Sequence, residues 1–459
     1  MSEIEKYIKN VKKGKEGIFM KKRLMALIMV SSMLAAALAG CGNNSAGGTQ
    51  PQGGAGTAAT GGAKTLRVSW WGNDDRHSAT IAALEKYQEL NEGVTLNGEY
   101  GGFGNIIEKI TTQIAGKTES DVMQINFDWL PKFSKTGEGF YDLYQLKDII
   151  DLSQYDEEFI KLGEINGKLN AIPHGQNTQV IVINKSAFER LGLEVPDTWE
   201  GFVEAAKSFP NGSFPIVCPT PRFMIDIYLQ QLTGKAPLLE DGTYNYSADE
   251  LKAGFEWYKG MADAGVFVTR QDYLENVGNN PVSVAQNAKF INGQYAGVLE
   301  WTGGLASYEA TLKEQGDELI IISMPKIVGA KSGATIKKPT MLFGISVNTK
   351  EVNEAANVIN FLINEPEGVK IMGITRGVPA SKAAVEVLSA DGKLEGIVSA
   401  AYEYGITAEA FPEQPIYEDA TLVDAYHEPL ERLELGEDDL ETAAKDAYDK
   451  ILSALEKLK

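Results

Sequence analysis

Residues 66–71, Leu-Arg-Val-Ser-Trp-Trp, form a short, mostly apolar run that is followed at once by the polar residues 72–75, Gly-Asn-Asp-Asp. Such a run predicts a buried strand and a loop, and Asp74 or Asp75 can cap a helix that starts there. Apolar residues at helical spacing then mark the inward face of this helix: Ile81, Leu84 and Leu90. The stretch therefore predicts a strand, a loop and a helix in succession.

The same alternation of strand and helix continues along the chain. Residues 95–100 and 121–126 have the composition of strands, and the helix predicted between them stops at Gly116. Its apolar positions are Ile106, Ile107, Ile110 and Ile114. Later strands are predicted at 178–184 and 295–300, and later helices at 353–363 and 438–458. This alternation predicts an α/β fold with a mainly parallel sheet.

A further helix start is predicted at residues 195–200, Val-Pro-Asp-Thr-Trp-Glu. Asp197 can accept a hydrogen bond from the first turn of that helix, and Glu200 can reach back to the residue that caps it. This reciprocal arrangement is a capping box, and it predicts that the helix begins directly after Asp197.

The composition excludes several classes of function. The 459 residues carry a formal net charge of −20, which argues against binding to nucleic acid or to anionic lipid headgroups, because both need basic surface. The two cysteines, Cys41 and Cys218, and the three histidines lack the spacing of a zinc site. The sequence also lacks a phosphate-binding glycine loop, a catalytic serine elbow and a calcium-binding loop. We therefore expect neither a metal nor a cofactor.

Residues 1–40 are predicted to be a signal peptide. Residues 20–23 begin with Met and are otherwise basic, and 24–38 are an uncharged, mostly apolar run that is short for a membrane span of about 20 residues. The run ends in Leu-Ala-Gly-Cys at 38–41, which resembles the lipobox of bacterial lipoproteins. We expect cleavage before Cys41 and lipidation of its thiol, and the alternative is an uncleaved anchor helix.

Two flanking segments complete this part of the chain. Residues 1–19 fit no secretory signal and are interpreted as a mis-assigned start, although a long basic leader is the alternative. Residues 41–63 consist of Cys41 followed by Gly, Ser, Asn, Gln, Thr and Ala with one proline, a composition typical of a flexible tether. With Cys41 lipidated, Cys218 has no disulfide partner and is predicted to be a buried thiol.

Six further segments, in their order along residues 66–459, resemble the extracellular solute-binding proteins of carbohydrate ABC transporters, the family 1 type to which maltose-binding proteins belong. They are Trp70-Trp71-Gly72 with Arg76-His77; residues 121–126 with Trp129; Ile172-Pro173 with 176–178 and Asn184-Lys185; residues 196–199; residues 293–297 with Trp301; and residues 376–382. The resemblance implies two α/β lobes that are joined by interleaved crossovers and close like a hinge over a cleft.

By this resemblance, lobe one comprises residues 64–173 plus 316–343, and lobe two comprises 174–315 plus 344–459. It also implies that the protein binds a sugar or oligosaccharide and delivers it to ABC transporter permease subunits. We accordingly expect a monomer, held by the lipid on Cys41 at the extracellular face of the cytoplasmic membrane. The alternatives are a lipid-anchored polysaccharide hydrolase or lyase and a binder of peptides or other solutes.

Candidate ligand-binding residues follow from the rule that open α/β sheets bind ligands beyond the carboxyl ends of their strands. They are Trp71, Asn73, Asp74, Arg76, Asp128, Trp129, Gln176, Asn177, Arg222, Phe223, Trp301 and Gly303. Tryptophans offer a flat apolar wall to a sugar ring, and carboxylates and amides bind its hydroxyl groups. The alternatives are helix capping for Asp74 and core packing for Trp71 and Trp129.

Three of these assignments depend on the resemblance. It implies that Trp301 is the stacking aromatic and that Gln176 and Asn177 contact ligand from the first crossover. His174, beside them, is interpreted as a hydrogen-bonding residue of the hinge. Residues 101–104, Gly-Gly-Phe-Gly, follow the second strand and are interpreted as either a turn or part of the site.

The charge of the ligand is the least constrained expectation. Arg76 and Arg222 could bind a carboxylate through their guanidinium groups, whereas Asp74 and Asp128 would repel one. The sequence therefore predicts an oligosaccharide that is neutral or only partly uronic.

Overall fold

The computed structural model describes residues 63–239, 241–277, 283–333 and 335–458. The predicted signal peptide and Cys41 lie outside these residues, as does the tether up to residue 62. The strands are β1 (Lys64–Trp71), β2 (Val94–Gly101), β3 (Val122–Ile125), β4 (Glu164–Ile165), β5 (Lys168–Leu169), β6 (Ile172–Pro173), β7 (Gln176–Asn184), β8 (Gly297–Trp301), β9 (Leu319–Ile322), β10 (Thr335–Pro339), β11 (Leu342–Ile345) and β12 (Ala410–Pro412).

The longer connections between these strands are helical. The α-helices are α1 (Asp74–Leu90), α2 (Phe103–Gly116), α3 (Trp129–Phe133), α4 (Glu157–Ile160), α5 (Lys185–Arg190), α6 (Trp199–Ala206), α7 (Pro221–Thr233), α8 (Ala248–Asp263), α9 (Arg270–Val277), α10 (Ala288–Ile291), α11 (Leu305–Gln315), α12 (Val352–Ile363), α13 (Pro366–Met372), α14 (Lys382–Ala390), α15 (Gly396–Thr407), α16 (Ala420–Glu434) and α17 (Leu440–Leu458). Short 3-10 helices lie at Leu143–Leu146, Leu152–Gln154, Lys161–Gly163, Val284–Gln286, Thr302–Gly304 and Pro415–Glu418.

The first sheet has the strand order β2-β1-β3-β11-β6. Strand β1 is parallel to both β2 and β3, whereas β11 is antiparallel to β3 and β6. Leu66, Val68 and Trp70 in β1 are fully buried, because helices cover the sheet. The prediction of an α/β fold is confirmed.

The second sheet has the order β12-β10-β7-β8, and β9 also pairs with β7. Strand β7 runs antiparallel to β8, β9 and β10, so the expected mainly parallel arrangement is wrong for this sheet. Its centre is fully buried at Val180, Ile181, Val182 and Ile183. A strand buried on both faces is apolar whichever way its neighbours run, and the sequence therefore did not reveal their direction.

Two helices are capped by a residue one or two positions away from the predicted cap. Asn73, rather than Asp74 or Asp75, caps α1 by accepting a hydrogen bond from the backbone N–H of Arg76 at 3.1 Å. Thr198, rather than Asp197, caps α6 by accepting from the N–H of Gly201 at 3.2 Å. In both cases the cap is the last residue with extended backbone, and acidic residues then occupy the first turn.

The two sheets define two lobes, and their boundaries differ from those predicted. Strands β9 and β10 pair with β7 in the second sheet, so residues 319–339 belong to lobe two rather than to lobe one. Strand β11 pairs with β3 in the first sheet, and α12 packs into the same core, so 342–363 belong to lobe one. The C-terminal helices α16 and α17 pack in lobe two.

Three crossing segments run side by side between the lobes. His174 donates its N–H to the carbonyl of Met341 at 2.9 Å, and Thr340 donates to the carbonyl of Gly175 at 2.8 Å. The third segment joins them where Ala380 donates to the carbonyl of His174 at 2.9 Å. A Cβ atom at Gly175 would lie 2.6 Å from the carbonyl oxygen of Val378, so this crossing is close enough to require glycine.

Candidate functional site

The cleft between the lobes has the three crossing segments as its floor. On lobe one, β1 and β3 end beside it and lead into α1 and α3, whose first residues provide several of the predicted side chains. On lobe two, β8 ends at Trp301, and the turn that follows is bonded to the first crossover. The strand ends of both lobes therefore meet the same floor, as the rule for open sheets predicts.

The aromatic wall of lobe one is layered. Trp71 and Trp129 are only 5% and 2% exposed and lie 4.8 Å apart between ring centroids. Phe103, which is 55% exposed, stacks on Trp129 with ring centroids 6.0 Å apart and planes at 12°. The two tryptophans pack in the core, in agreement with the core-packing alternative, and their contact with ligand remains a prediction. Phe103, from the Gly-Gly-Phe-Gly segment, is the ring that this cluster presents to solvent.

The first turn of α1 contains three predicted residues with different roles. Asn73 is the helix cap, and Asp74 is exposed in the first turn. Arg76 is half-buried, with Nε donating to the carbonyl of Thr375 at 3.0 Å and one terminal nitrogen donating to that of Trp71 at 3.2 Å. Arg76 thus joins lobe one to the third crossing segment.

Asp128 already has partners in the described part of the chain. Its Oδ1 accepts a hydrogen bond from Asn126 at 2.5 Å, and its Oδ2 lies 2.7 Å from Nζ of Lys132. The charge of this carboxylate is therefore compensated within α3 and the residues before it. Its predicted repulsion of an anionic ligand is correspondingly weakened.

The crossover amides bind the polypeptide itself. Nε2 of Gln176 donates to the carbonyl of Gly405 at 2.8 Å, and Oδ1 of Asn177 accepts from the N–H of Gly303 at 2.8 Å. Thr178 donates its N–H to Oγ1 of Thr302 at 3.0 Å. Asn177 and Gly303 are thus brought together, and their contact fixes the turn after Trp301.

Trp301 and Phe223 also come together, on lobe two. Their rings meet edge to face at 5.3 Å and 83°, and both line a cavity with Glu300, Gln179 and Thr220. Trp301 is half-buried, so part of its indole is accessible. The structure thus brings together two residues that were predicted separately, and their role in ligand binding remains a prediction.

Lys338 was not predicted and lies directly over Trp301. Its Nζ is 4.4 Å from the ring centroid, and it forms an ion pair with Glu418. Burial lowers the pKa of Lys338 from its usual value. Lys338 lies in the short strand Thr335–Pro339, Thr-Ile-Lys-Lys-Pro. Two adjacent lysines inside a strand were the sequence signal that could have identified it.

Arg222, predicted to contact ligand, is buried inside lobe two, and its contact with ligand remains a prediction. Arg222 is 1% exposed, and one of its terminal nitrogens lies 3.0 Å from Oε1 of Glu413. Its guanidinium also lies 4.3 Å from the ring centroid of Phe223 and 4.4 Å from that of Tyr417. The first turn of α7 points this side chain into lobe two, where an acidic residue distant in sequence compensates it.

Arg376 and His174 complete the floor and were not assigned to the site. Arg376 is 1% exposed, with Nε donating to Gln124 at 2.8 Å and a terminal nitrogen donating to Thr80 at 2.9 Å. His174 is 3% exposed, and neither ring nitrogen has a hydrogen-bond partner among the described residues. Burial first, and then the positive charges of Arg376 and Arg76, lower the pKa of His174 well below its usual value. At the hinge, His174 forms hydrogen bonds through its backbone N–H and carbonyl, and not through its imidazole ring.

The described ranges contain neither a metal-binding cluster nor a membrane-spanning helix. Within them, no cluster of His, Cys, Asp or Glu side chains has the geometry of a metal site. None of the helices in these ranges combines the length and apolar character needed to cross a bilayer.

Comparisons with known proteins agree with this architecture. Residues 82–396 match the model of a family described as bacterial extracellular solute-binding protein. The chain is similar to a periplasmic solute-binding protein from Pectobacterium atrosepticum, with a TM-score of 0.78 and 30% identity over 86% of this chain and 98% of that one. It is similar to a periplasmic oligogalacturonide-binding protein from Yersinia enterocolitica, with a TM-score of 0.76 and 31% identity over 86% of this chain and 99% of that one.

A curated relative is more distant. The diacetylchitobiose-binding protein of Streptomyces coelicolor is 27% identical over 52% of this chain and 56% of its own length. The two-lobe fold predicted from the sequence is confirmed by the solved structures, and the family model spans most of both lobes. The chain belongs to the bacterial extracellular solute-binding protein family.

Proposed function

We propose that this protein captures an oligosaccharide outside the cytoplasmic membrane and delivers it to the permease subunits of an ABC importer. One observation carries the proposal: each lobe has an accessible aromatic ring close to the end of a strand. Phe103 follows β2 on lobe one, and Trp301 ends β8 on lobe two. Flat rings flanked by hydrogen-bonding groups suit the two faces and the hydroxyl groups of a sugar.

The ligands of two relatives support the same class. The Yersinia protein was solved in complex with saturated digalacturonic acid, and the Streptomyces relative is named for diacetylchitobiose. Both ligands contain more than one sugar ring. A site with an aromatic side chain on each lobe would likewise suit a ligand longer than a monosaccharide.

The leader supports attachment to the membrane. We propose that Cys41 becomes the lipidated amino terminus, and that the following segment up to residue 63 tethers the folded lobes to the extracellular face of the cytoplasmic membrane. Two acyl chains, at about 0.8 kcal/mol per buried methylene, would hold a monomer firmly in place. A tethered binding protein would remain close to its permease partners.

The test is calorimetry of the purified full-length chain against neutral, acetamido and uronic oligosaccharides of one to four sugar units. We expect saturable binding of at least one oligosaccharide, tighter than binding of its monosaccharide, and recovery of the ligand intact by chromatography. Binding of peptides but of none of the sugars would overturn the proposed ligand class. Cleavage of the bound sugar would favour the hydrolase or lyase alternative.

A further inference from the structure

The cations around the cleft are mostly neutralised by acidic partners, as expected in a chain with a net charge of −20. The pairs are Lys132 with Asp128, Lys338 with Glu418, and Arg222 with Glu413. In each case the acid lies within the same lobe. These groups have no uncompensated charge to offer a ligand.

Arg76 and Arg376 are different. Arg376 bonds only to neutral groups, namely the side chains of Gln124, Thr80 and Met372. Arg76 bonds only to backbone carbonyls. Among the ion pairs within the described ranges, neither guanidinium has a carboxylate partner, although Asp74 and Asp75 lie exposed in the same turn as Arg76.

This lack of counter-charge is costly where the groups are buried. The two side chains are linked through Trp71 and Gln124: Arg76 and Nε2 of Gln124 both donate to the carbonyl of Trp71 at 3.2 Å, and Oε1 of Gln124 accepts from Arg376 at 2.8 Å. Burial, and then the charge of Arg76, lower the pKa of Arg376 well below its usual value. A buried cation is normally stabilised by an anion close to it. The described residues do not supply that anion.

His174 is a second and independent indication. It is nine-tenths or more buried, belongs to the first crossover, and has two ring nitrogens without partners among the described residues. Its backbone carbonyl accepts from Ala380, on the segment that contains Arg376, at 2.9 Å. Burial first, and then the charges of Arg376 and Arg76, lower the pKa of His174. A neutral imidazole can donate one hydrogen bond, and a buried donor without a partner is rare unless water or a ligand completes it.

We infer that Arg76, Arg376 and His174 form a carboxylate-recognition subsite at the floor of the cleft, and that the ligand is an acidic, uronate-bearing oligosaccharide. The inference rests on the proposed function, since it specifies the charge of the sugar bound there. Arg76, the half-buried member, contacts the carboxylate through its planar fork. Arg376 and His174 lie deeper and add positive potential and a hydrogen bond. This replaces the expectation of a neutral or partly uronic ligand.

The experiment compares trigalacturonate with its fully methyl-esterified form, which has the same rings and linkages without the charges. Calorimetry with the full-length chain should show that the acid binds about ten- to hundredfold more tightly than the ester, as expected for a charge-assisted hydrogen bond in a buried site. Acidic and neutral xylo-oligosaccharides, with and without a glucuronate branch, form a second matched pair. Inorganic sulfate at the same concentration tests for a free anion.

The variant Arg76→Gln should reduce the affinity for trigalacturonate about tenfold or more, and the acid-to-ester ratio should approach one. Arg76→Lys should restore part of that ratio, because it keeps the charge without the fork. Arg190→Gln is the matched control, since Arg190 pairs with Asp317 on the surface of lobe two. It should leave the ratio as in the parent. Melting temperatures verify that each variant is folded.

Three results would count against the inference. Acid and ester affinities within threefold of each other in both matched pairs would show that the charge is not recognised, while leaving sugar binding intact. If sulfate stabilised the folded protein as much as trigalacturonate does, Arg76 and Arg376 would be assigned to binding a free anion rather than a sugar carboxylate. Binding of neither acidic nor neutral sugars would contradict the proposed function itself, and the inference with it.

Discussion

Nζ of Lys132 in lobe one lies 3.7 Å from Oδ2 of Asp419 in lobe two, while the same ammonium group pairs with Asp128 at 2.7 Å. Asp419 also caps α16, accepting a hydrogen bond from the N–H of Thr421 at 2.9 Å. One lysine therefore links the lobes at a point separate from the crossing segments. Because Lys132 is 40% exposed, the link is weak enough to break whenever the cleft opens.

Asp419→Asn should shift the ligand-free protein toward an open form. Asparagine keeps the helix cap but removes the charge that attracts Lys132. An exposed ion pair is worth about 0–1 kcal/mol, so the open population should rise by no more than about fivefold. Small-angle scattering without ligand measures this as a larger radius of gyration. Asp439→Asn, which changes the equivalent cap of α17, is the control, and an equal expansion there would contradict the prediction.

Trp301→Ala should weaken oligosaccharide binding about tenfold or more with a smaller effect on folding. A stacked aromatic ring contributes about 1 kcal/mol beyond its buried area, and tenfold in affinity corresponds to about 1.4 kcal/mol. Titration calorimetry gives the affinity, and chemical unfolding gives the stability. Trp257→Ala is the matched control, because Trp257 is half-buried against Tyr228 in lobe two. Unchanged affinity in a folded Trp301→Ala protein would remove this residue from the site.

Gly175→Ala should destabilise the protein by about 1–3 kcal/mol or more. The new Cβ would lie 2.6 Å from the carbonyl oxygen of Val378 and 2.9 Å from Oγ1 of Thr340, so two crossing segments would have to separate. Gly260→Ala, in α8, meets nothing within 4 Å and should stabilise by about 0.5–1 kcal/mol. Urea unfolding compares the two. Equal effects of the same sign would show that the crossing is not tightly packed.

Glu434→Gln should become more stable relative to the parent as the pH rises. Burial raises the pKa of Glu434 to about 7, above its value in the unfolded chain, so the folded parent holds an extra proton between about pH 4.5 and 7. The stability that this group contributes to the folded parent is fully present below pH 4.5 and is lost as the pH rises to about 7. Glutamine resembles the protonated form and loses nothing.

The stability difference between Glu434→Gln and the parent should therefore grow by on the order of 2 kcal/mol from pH 5 to pH 8. Chemical unfolding at each pH measures it. Glu437→Gln, at an exposed position in the following turn, is the matched control. A flat difference for Glu434→Gln would show that this carboxyl titrates normally in the folded protein.

Cys41→Ala should move the protein from the membrane fraction to the supernatant, because it removes the thiol that would receive the lipid. Immunoblots of fractionated cells measure the distribution. Cys218→Ala is the control, since Cys218 is a buried free thiol in lobe two and should leave the protein on the membrane. A Cys41→Ala protein that stays fully membrane-bound would contradict lipid anchoring.

The sequence determined the features that depend on local burial. Residues of β1 and β7 had to be strands because their apolar runs are too short for helices, and the isoleucines of α2 could share a face only in a helix. Trp301 was identified because it ends an apolar run before Thr-Gly-Gly and because the family resemblance implies a stacking aromatic at this position. Such patterns report whether a side chain is covered, and this is why the α/β alternation was predicted correctly.

The tertiary structure alone decided what covers each side chain. Hydrogen bonds with segments more than a hundred residues away placed β9 and β10 in lobe two and β11 in lobe one. The expected site also changed because of partners distant in sequence. Phe103 stacks on Trp129, Glu413 pairs with Arg222, and Arg376 has no acidic partner among the described residues. Local composition indicates whether a side chain will be buried or will need a counter-charge. The residue that buries it or supplies the opposite charge comes from another part of the chain.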